Sequence, residues 1–143
     1  MKSIWFKPFT LEELNNRGKN TLAEFLDITF TAQDENSLTA TMTVCDRIKQ
    51  PVGIVHGGAN VVLAETLAST AANAVMDIDQ YYCVGLEINA NHIRAVREGI
   101  ITGVTKPLHI GRTTQVWIVD LYNSEGQLTC ASRMTAAVIK RSN

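Results

Sequence analysis

Glu65 stands inside the run Val61-Val62-Leu63-Ala64-Glu65-Thr66-Leu67-Ala68, and a carboxylate buried in such surroundings is rare without a partner. Between Arg47 and Arg94 the only Lys or Arg is Lys49. Either a partner arrives from elsewhere in the chain or the carboxylate serves as a nucleophile or general base. Burial would raise its pKa toward the operating pH, where proton abstraction is efficient. Ser69 lies four residues on, on the same helical face. Its hydroxyl can reach the carboxylate or a water, or it is simply small packing.

The second chemical feature is the run Gln50-Pro51-Val52-Gly53-Ile54-Val55-His56-Gly57-Gly58. Glycines at the start of a helix let a ligand atom approach the backbone. Unpaired N–H groups there, aided by the helix dipole, suit the polarisation of a carbonyl oxygen. A tight turn alone would also use a Gly-Gly pair. Gly57 and Glu65 are separated by eight positions, about 12 Å along a helix at ~1.5 Å per residue. A base and an oxyanion donor must both lie within about 3 Å of the reacting group. One subunit does not easily supply both, whereas two antiparallel copies of the helix across a twofold axis do. The expected site is therefore composite, and the dimer obligatory for activity.

The elements that must position these residues follow from periodicity. A helix is expected from Thr10, with Thr10 and Glu13 as a capping box, to Gly18. Two alternating runs, Leu26–Phe30 and Leu38–Val44, read as half-buried strands, joined by the turn Asp34-Glu35-Asn36. From Gly58 to about Met76 an Ala-, Val- and Leu-rich stretch without proline or inner glycine reads as a helix buried on most sides. Four more strands are expected at about 81–89, 100–106, 114–122 and 128–139. Ser124-Glu125-Gly126 turns between the last two. The expected class is α+β: an antiparallel six-stranded sheet wrapped around one long central helix, with sheet edges that favour pairing between subunits.

The whole chain bounds these readings. Its 143 residues fit a single domain spanning 1–143. Thirteen basic residues stand against 14 acidic ones, for a net charge of −1, and no Lys/Arg-rich run occurs, which argues against nucleic acid. The first residues hold no apolar stretch long enough for a signal peptide, and no segment approaches a membrane span. Cys45, Cys83 and Cys130 fit no zinc spacing, and each falls in a strand-like run. They read as free thiols in a reducing cytoplasm.

The run QPVGIVHGGANVVLAE (50–65) resembles the hotdog-fold acyl-CoA thioesterases of the phenylacetate and 4-hydroxybenzoyl-CoA type. The segments VGLEINANHIRAVREG (84–99) and TKPLHIG (105–111) bring it nearest to two branches of that family. One hydrolyses 1,4-dihydroxy-2-naphthoyl-CoA in menaquinone synthesis; the other proofreads enterobactin synthesis. The resemblance covers about Phe9 to Ile139. It implies that Glu65 attacks the thioester or activates water and that the Gly57 amide holds the carbonyl oxygen. Gln50 and His56 would orient the thioester, and Ser69 would support the water. It also implies a site straddling two subunits of a homodimer or homotetramer, with no metal or redox cofactor.

Asn91, His92 and Arg94 would meet the nucleotide and pantetheine arm of CoA, since Arg and His suit phosphate oxygens. The alternative for that segment, 89–97, is a solvated loop. Gly58 belongs to the same substrate-facing turn. Val52 stands where close relatives often carry a larger aromatic side chain, and Arg112-Thr113-Thr114 departs from the usual pattern. Lys106 and His109 read as turn residues. Three other functions stay open: a hotdog dehydratase or hydratase, a non-catalytic acyl-CoA-binding module, and a metal site from His56, His92 and His109, whose spacing matches no metal motif.

Overall fold

A computed structural model describes residues 2–142. Helix α1 (Leu11–Arg17) opens on the expected capping box. The Thr10 hydroxyl accepts from the Glu13 N–H at 3.1 Å, and the Thr10 N–H donates to Glu13 Oε2 at 2.8 Å. A second short helix, α2 (Leu22–Phe25), follows, capped by the Thr21 hydroxyl. This corrects the strand expected from Leu26. Leu26 is the C-cap of α2, Asp27 takes a left-handed φ of 55°, and strand β1 begins only at Ile28. Alternation of Leu26 with Ile28 is a feature of the buried side chains, not of a continuous strand.

The six strands are β1 (Ile28–Gln33), β2 (Leu38–Thr43), β3 (Tyr81–His92), β4 (Ile100–Ile110), β5 (Thr114–Tyr122) and β6 (Leu128–Lys140). They form one antiparallel sheet in the order β1-β2-β4-β5-β6-β3. Strand β3 crosses over the sheet after the long helix α3 (Gly57–Ala74) and becomes an edge. A 3-10 turn, Asp46–Ile48, leads from β2 into the loop before α3. Cys45 caps that turn instead of lying in a strand.

Two strands run further than expected. β3 continues through Asn89–His92, so the segment thought to be a loop is strand up to His92. β4 carries Lys106 and His109 within a strand instead of a turn. Pro107 is tolerated there because the register shifts between Pro107 and His109, and a bulge spares the hydrogen bond that proline lacks.

Helix α3 lies on the concave face of the sheet. Ala59, Asn60, Leu63, Ala64, Leu67, Ala68, Ala71 and Ala72 are buried, a stripe with helical spacing. It packs against Leu38, Met42, Ile101, Trp117, Leu121 and Met134. Small alanines along the stripe let the sheet close on the helix. Gly103 in β4 does the same, since a Cβ there would stand 2.5 Å from Leu67 Cδ1. The opposite face of α3, with Glu65, Thr66, Ser69 and Thr70, is only half-buried. Burial on most sides, as the sequence suggested, is thus not reached within one chain.

The carboxyl end of α3 is tied down. Buried Gln115 donates from Nε2 to the Ala72 carbonyl at 3.3 Å and accepts from Trp117 Nε1 at 2.8 Å. The Phe6 N–H donates to the Ala74 carbonyl at 2.9 Å. Among the described residues no helix is long and apolar enough to cross a membrane.

Candidate active site

The loop before α3 is shaped by the residues that precede it. Gly53 holds a φ of 80°, a left-handed conformation that glycine adopts without strain. The Gln50 N–H donates to the Ile54 carbonyl at 2.8 Å, and the Val55 N–H donates to Val96 at 2.8 Å. These bonds fold residues 50–55 back so that Gln50 faces the helix start.

His56 is the N-cap of α3. Its Nδ1 accepts from the Gly58 N–H at 2.8 Å, and its carbonyl accepts from Ala59 and Asn60. The Gly58 amide is therefore spent on the cap. The Gly57 N–H donates to none of the described residues and stays open at the positive end of an 18-residue helix, the geometry that polarises an oxygen.

Gln50, Ile54, Val55, Gly57, Asn60, His92, Ile93 and Arg94 line a cleft of about 350 Å³ at this end. Gln50 Oε1 accepts from the Val52 N–H at 3.3 Å, which fixes its amide within the cleft wall. His92, at the last residue of β3, brings Nε2 to 2.8 Å from where a Cβ of residue 57 would stand. Only a glycine at 57 admits the ring so close. Asn60, buried on the first turn of α3, holds the other ring nitrogen: Asn60 Nδ2 lies 3.3 Å from His92 Nδ1. Arg94 is exposed on the rim, whereas Asn91 is exposed and does not line the cleft. Val52 is 66% exposed, and its carbonyl accepts from Arg97 Nη1 at 3.2 Å.

Glu65 lies two turns along α3 on the half-buried face. Its carboxylate has no hydrogen bond or ion pair with the described residues, so no structural partner from elsewhere in the chain claims it. It rests directly against Gly85 of β3, where any side chain would collide with Oε1. The register of β3 against β6 shifts between Gly85 and Glu87, and this bulge with its glycine makes room for the carboxylate. Ser69, four residues on, does not meet Glu65; its hydroxyl contacts Met134 Sδ at 3.6 Å.

The structure thus gathers Gln50, Gly57 and His92 at one end of the helix, together with Asn60. Glu65 and Ser69 lie elsewhere on the same helix. Asn60 and Gly85 were missed from sequence. One asparagine on a first helical turn is ordinary, and the glycine of a strand shows its purpose only when the bulge is seen. His109 lies in β4 beside Gly111. Among the described residues no group of three His, Cys, Asp or Glu is placed to hold a metal. The cysteines are free. Burial pushes the Cys83 thiol up to about 11. Burial, then the charge of Asp120, raises that of Cys130. Neither is a thiolate nucleophile at neutral pH.

The antiparallel sheet wrapped on one long helix is the fold that known thioester-cleaving enzymes share with this chain. The chain matches the thioesterase superfamily over residues 52–130. It is 58% identical over 140 residues to a Vibrio cholerae protein carrying an esterase designation, covering 98% of this chain and 92% of that one. It is 48% identical to the 1,4-dihydroxy-2-naphthoyl-CoA hydrolase of Escherichia coli K12, covering 95% and 99%. A proofreading thioesterase of Cronobacter turicensis is 44% identical, covering 95% and 98%.

Among solved structures, a variant thioesterase of Pseudomonas aeruginosa superposes with a TM-score of 0.96 at 47% identity, covering 97% of this chain and all of that one. A Staphylococcus aureus protein superposes at 0.81 with 33% identity, covering 84% and 99%. The chain belongs to the thioesterase superfamily and has its hotdog fold.

Proposed function

We propose that the protein hydrolyses an acyl-CoA thioester with an aromatic acyl group, such as 1,4-dihydroxy-2-naphthoyl-CoA or a hydroxybenzoyl thioester. The observation that carries this is the pair formed by the open Gly57 N–H and the unpartnered Glu65 carboxylate held against Gly85. The Gly57 amide polarises the thioester carbonyl. Glu65 acts on the carbonyl carbon as nucleophile or through water. In the first route a carboxylate oxygen bonds to carbon, the C–S bond breaks, the thiolate leaves and takes a proton, and water opens the anhydride. In the second, Glu65 takes a proton from water as the water oxygen bonds to carbon, the C–S bond then breaks, and the departing thiolate takes that proton. Gln50 and His56 orient the thioester, Ser69 supports the water, and Gly58 and Val52 line the acyl approach. Arg94, on the rim, and the exposed Asn91 meet the CoA arm.

The relatives support the class of substrate. One is named for an aromatic acyl-CoA and another for proofreading. Two S. aureus structures carry alanine for a glutamine and for a glutamate that stand fifteen positions apart, the separation of Gln50 and Glu65 here. A place in menaquinone synthesis follows if the naphthoyl thioester is preferred.

Eight positions along α3 separate Gly57 from Glu65, about 12 Å at ~1.5 Å per residue, so we place the working site between two subunits. The 12-residue edge strand β3, with Leu86 62% exposed, offers an unpaired ladder for a second copy. A homodimer or a dimer of dimers would complete one site from Glu65 of one protomer and Gly57 of its partner. Three free cysteines suit a reducing cytoplasm. A dehydratase would instead form enoyl product without releasing thiol, and a binding module would saturate without turnover.

A turnover screen against aromatic and aliphatic acyl-CoAs tests the assignment. Aromatic thioesters are expected to give the highest kcat/KM, and preference for short aliphatic chains overturns it. Rapid-quench single turnover with a labelled acyl group separates the two routes, because only the anhydride route leaves the acyl group covalently on Glu65.

A further inference from the structure

We propose that Asn60 is a positioning residue that fixes the tautomer of His92 and so makes His92 Nε2–H a second donor to the substrate carbonyl beside the Gly57 amide. Three observations converge. Asn60 is 6% exposed and lines the cleft at the helix start. Its Nδ2 faces His92 Nδ1 at 3.3 Å. An amide nitrogen can only donate, so Nδ1 must accept, and the neutral ring then carries its proton on Nε2. That nitrogen lies over Gly57, 2.8 Å from the position of a Cβ there. An exposed histidine at a strand end has no need of a buried asparagine to hold it, and a glycine at 57 has no need of a ring above it.

Asn60 Oδ1 is the other half of the argument. It is the buried side-chain polar atom left without a partner among the described residues. Leaving such an atom unpaired is costly, and a fold retains it where a ligand or water completes the bond. The cleft it lines also holds Gln50, whose amide nitrogen faces no described partner, so the wall around Gly57 presents donors on more than one side. Turning the Asn60 amide over would satisfy Nδ1–H instead, leave Nδ2 orphaned and point a lone pair of His92 at the carbonyl oxygen. The two arrangements differ in one proton position.

This deepens the thioesterase reading and rests on Gly57 being the carbonyl site; its primary readout needs no turnover. Long-range ¹H–¹⁵N spectra of the ¹⁵N-histidine-labelled protein resolve three histidines, with His92→Gln identifying the His92 signals. The expected result is that the uncharged His92 ring carries its hydrogen on Nε2, and an Nδ1–H tautomer overturns the proposal. Asn60→Asp has the same shape but can only accept, and is expected to move the proton to Nδ1. An unchanged tautomer there overturns it equally. In turnover, Asn60→Asp and Asn60→Ala are expected to lower kcat about 10- to 100-fold with KM changed less than about 3-fold, as loss of an oxyanion donor does. His92→Gln, which keeps an N–H, is expected to retain more kcat than His92→Ala. A fall confined to KM, or equal loss in both His92 variants, contradicts the donor role. If instead the unaltered protein releases no thiol from any acyl-CoA while His92 shows the Nε2–H tautomer, the hydrolase reading fails and the tautomer assignment stands.

Discussion

The two ends of α3 are finished differently. At the carboxyl end the last carbonyls each find a donor: Ala71 from Val75 N–H, Ala72 from Gln115, Asn73 from Met76 N–H and Ala74 from Phe6 N–H. At the amino end, His56 takes the Gly58 amide, and the amides of Ala59 and Asn60 turn to the His56 carbonyl, but Gly57 donates to no described residue. Helix ends normally have their orphan groups satisfied. The closed end is where the sheet holds the helix through Gln115 and Trp117. The open end faces a cleft with Gln50, Asn60 and His92 on its walls. One end does structural work, and the other is left incomplete in a way that a carbonyl oxygen would complete.

That contrast can be broken at four places. The largest effect is expected from Glu65→Ala. Removing the carboxylate should lower kcat by about 10³-fold or more, about 4 kcal/mol in the transition state. Oligomeric state by light scattering should not change, since Glu65 has no described partner. Gly57→Ala comes next. Its Cβ would meet the His92 ring, so the ring is displaced from the amide, and kcat should fall about 10²-fold with the denaturant midpoint little altered. Normal turnover in that variant would show that the space over Gly57 has no role.

Gln115→Ala attacks the closed end. It strands the buried Trp117 N–H and the Ala72 carbonyl, which should cost roughly 2 kcal/mol of stability by denaturant titration, while kcat per folded molecule stays near normal. His56→Ala removes both the cap and the ring placed to orient the thioester, and should cost about 1 kcal/mol of stability. Its kcat loss should exceed that of Gln115→Ala, because the Gly58 amide is freed at the site. Equal kcat losses at the two ends would erase the distinction between them.

Much of this was legible in the residues themselves. The capping box at Thr10 and Glu13, the long alanine-rich helix and the hairpin strands follow from local patterns, since each depends on neighbours in sequence. Glu65 stood out for its chemistry and the Gly-Gly turn for its position. What escaped depends on distant parts of the chain. β3 runs on through Asn89–His92 because β6 pairs with it along its length, not because those polar residues favour a strand. Pro107 hid the continuation of β4, which a bulge permits. Gly85 makes sense only with Glu65 packed against it. Asn60 acquires meaning from His92, 32 positions away. Leu26 alternated with Ile28 and Phe30 and was still not strand, because the α2 cap and the left-handed Asp27 come between.

The central claim is that the open amide of one protomer works with the glutamate of another. It is tested by making hybrids of two inactive variants, Glu65→Ala and Gly57→Ala, through co-expression with different tags. In a twofold dimer with shared sites, each hybrid holds one site with both defects and one with neither. Randomly mixed subunits should then recover about a quarter of wild-type thiol release, since about half the dimers are hybrids with half their sites intact. Turnover of the mixture no higher than that of the two parents would contradict a site shared between protomers.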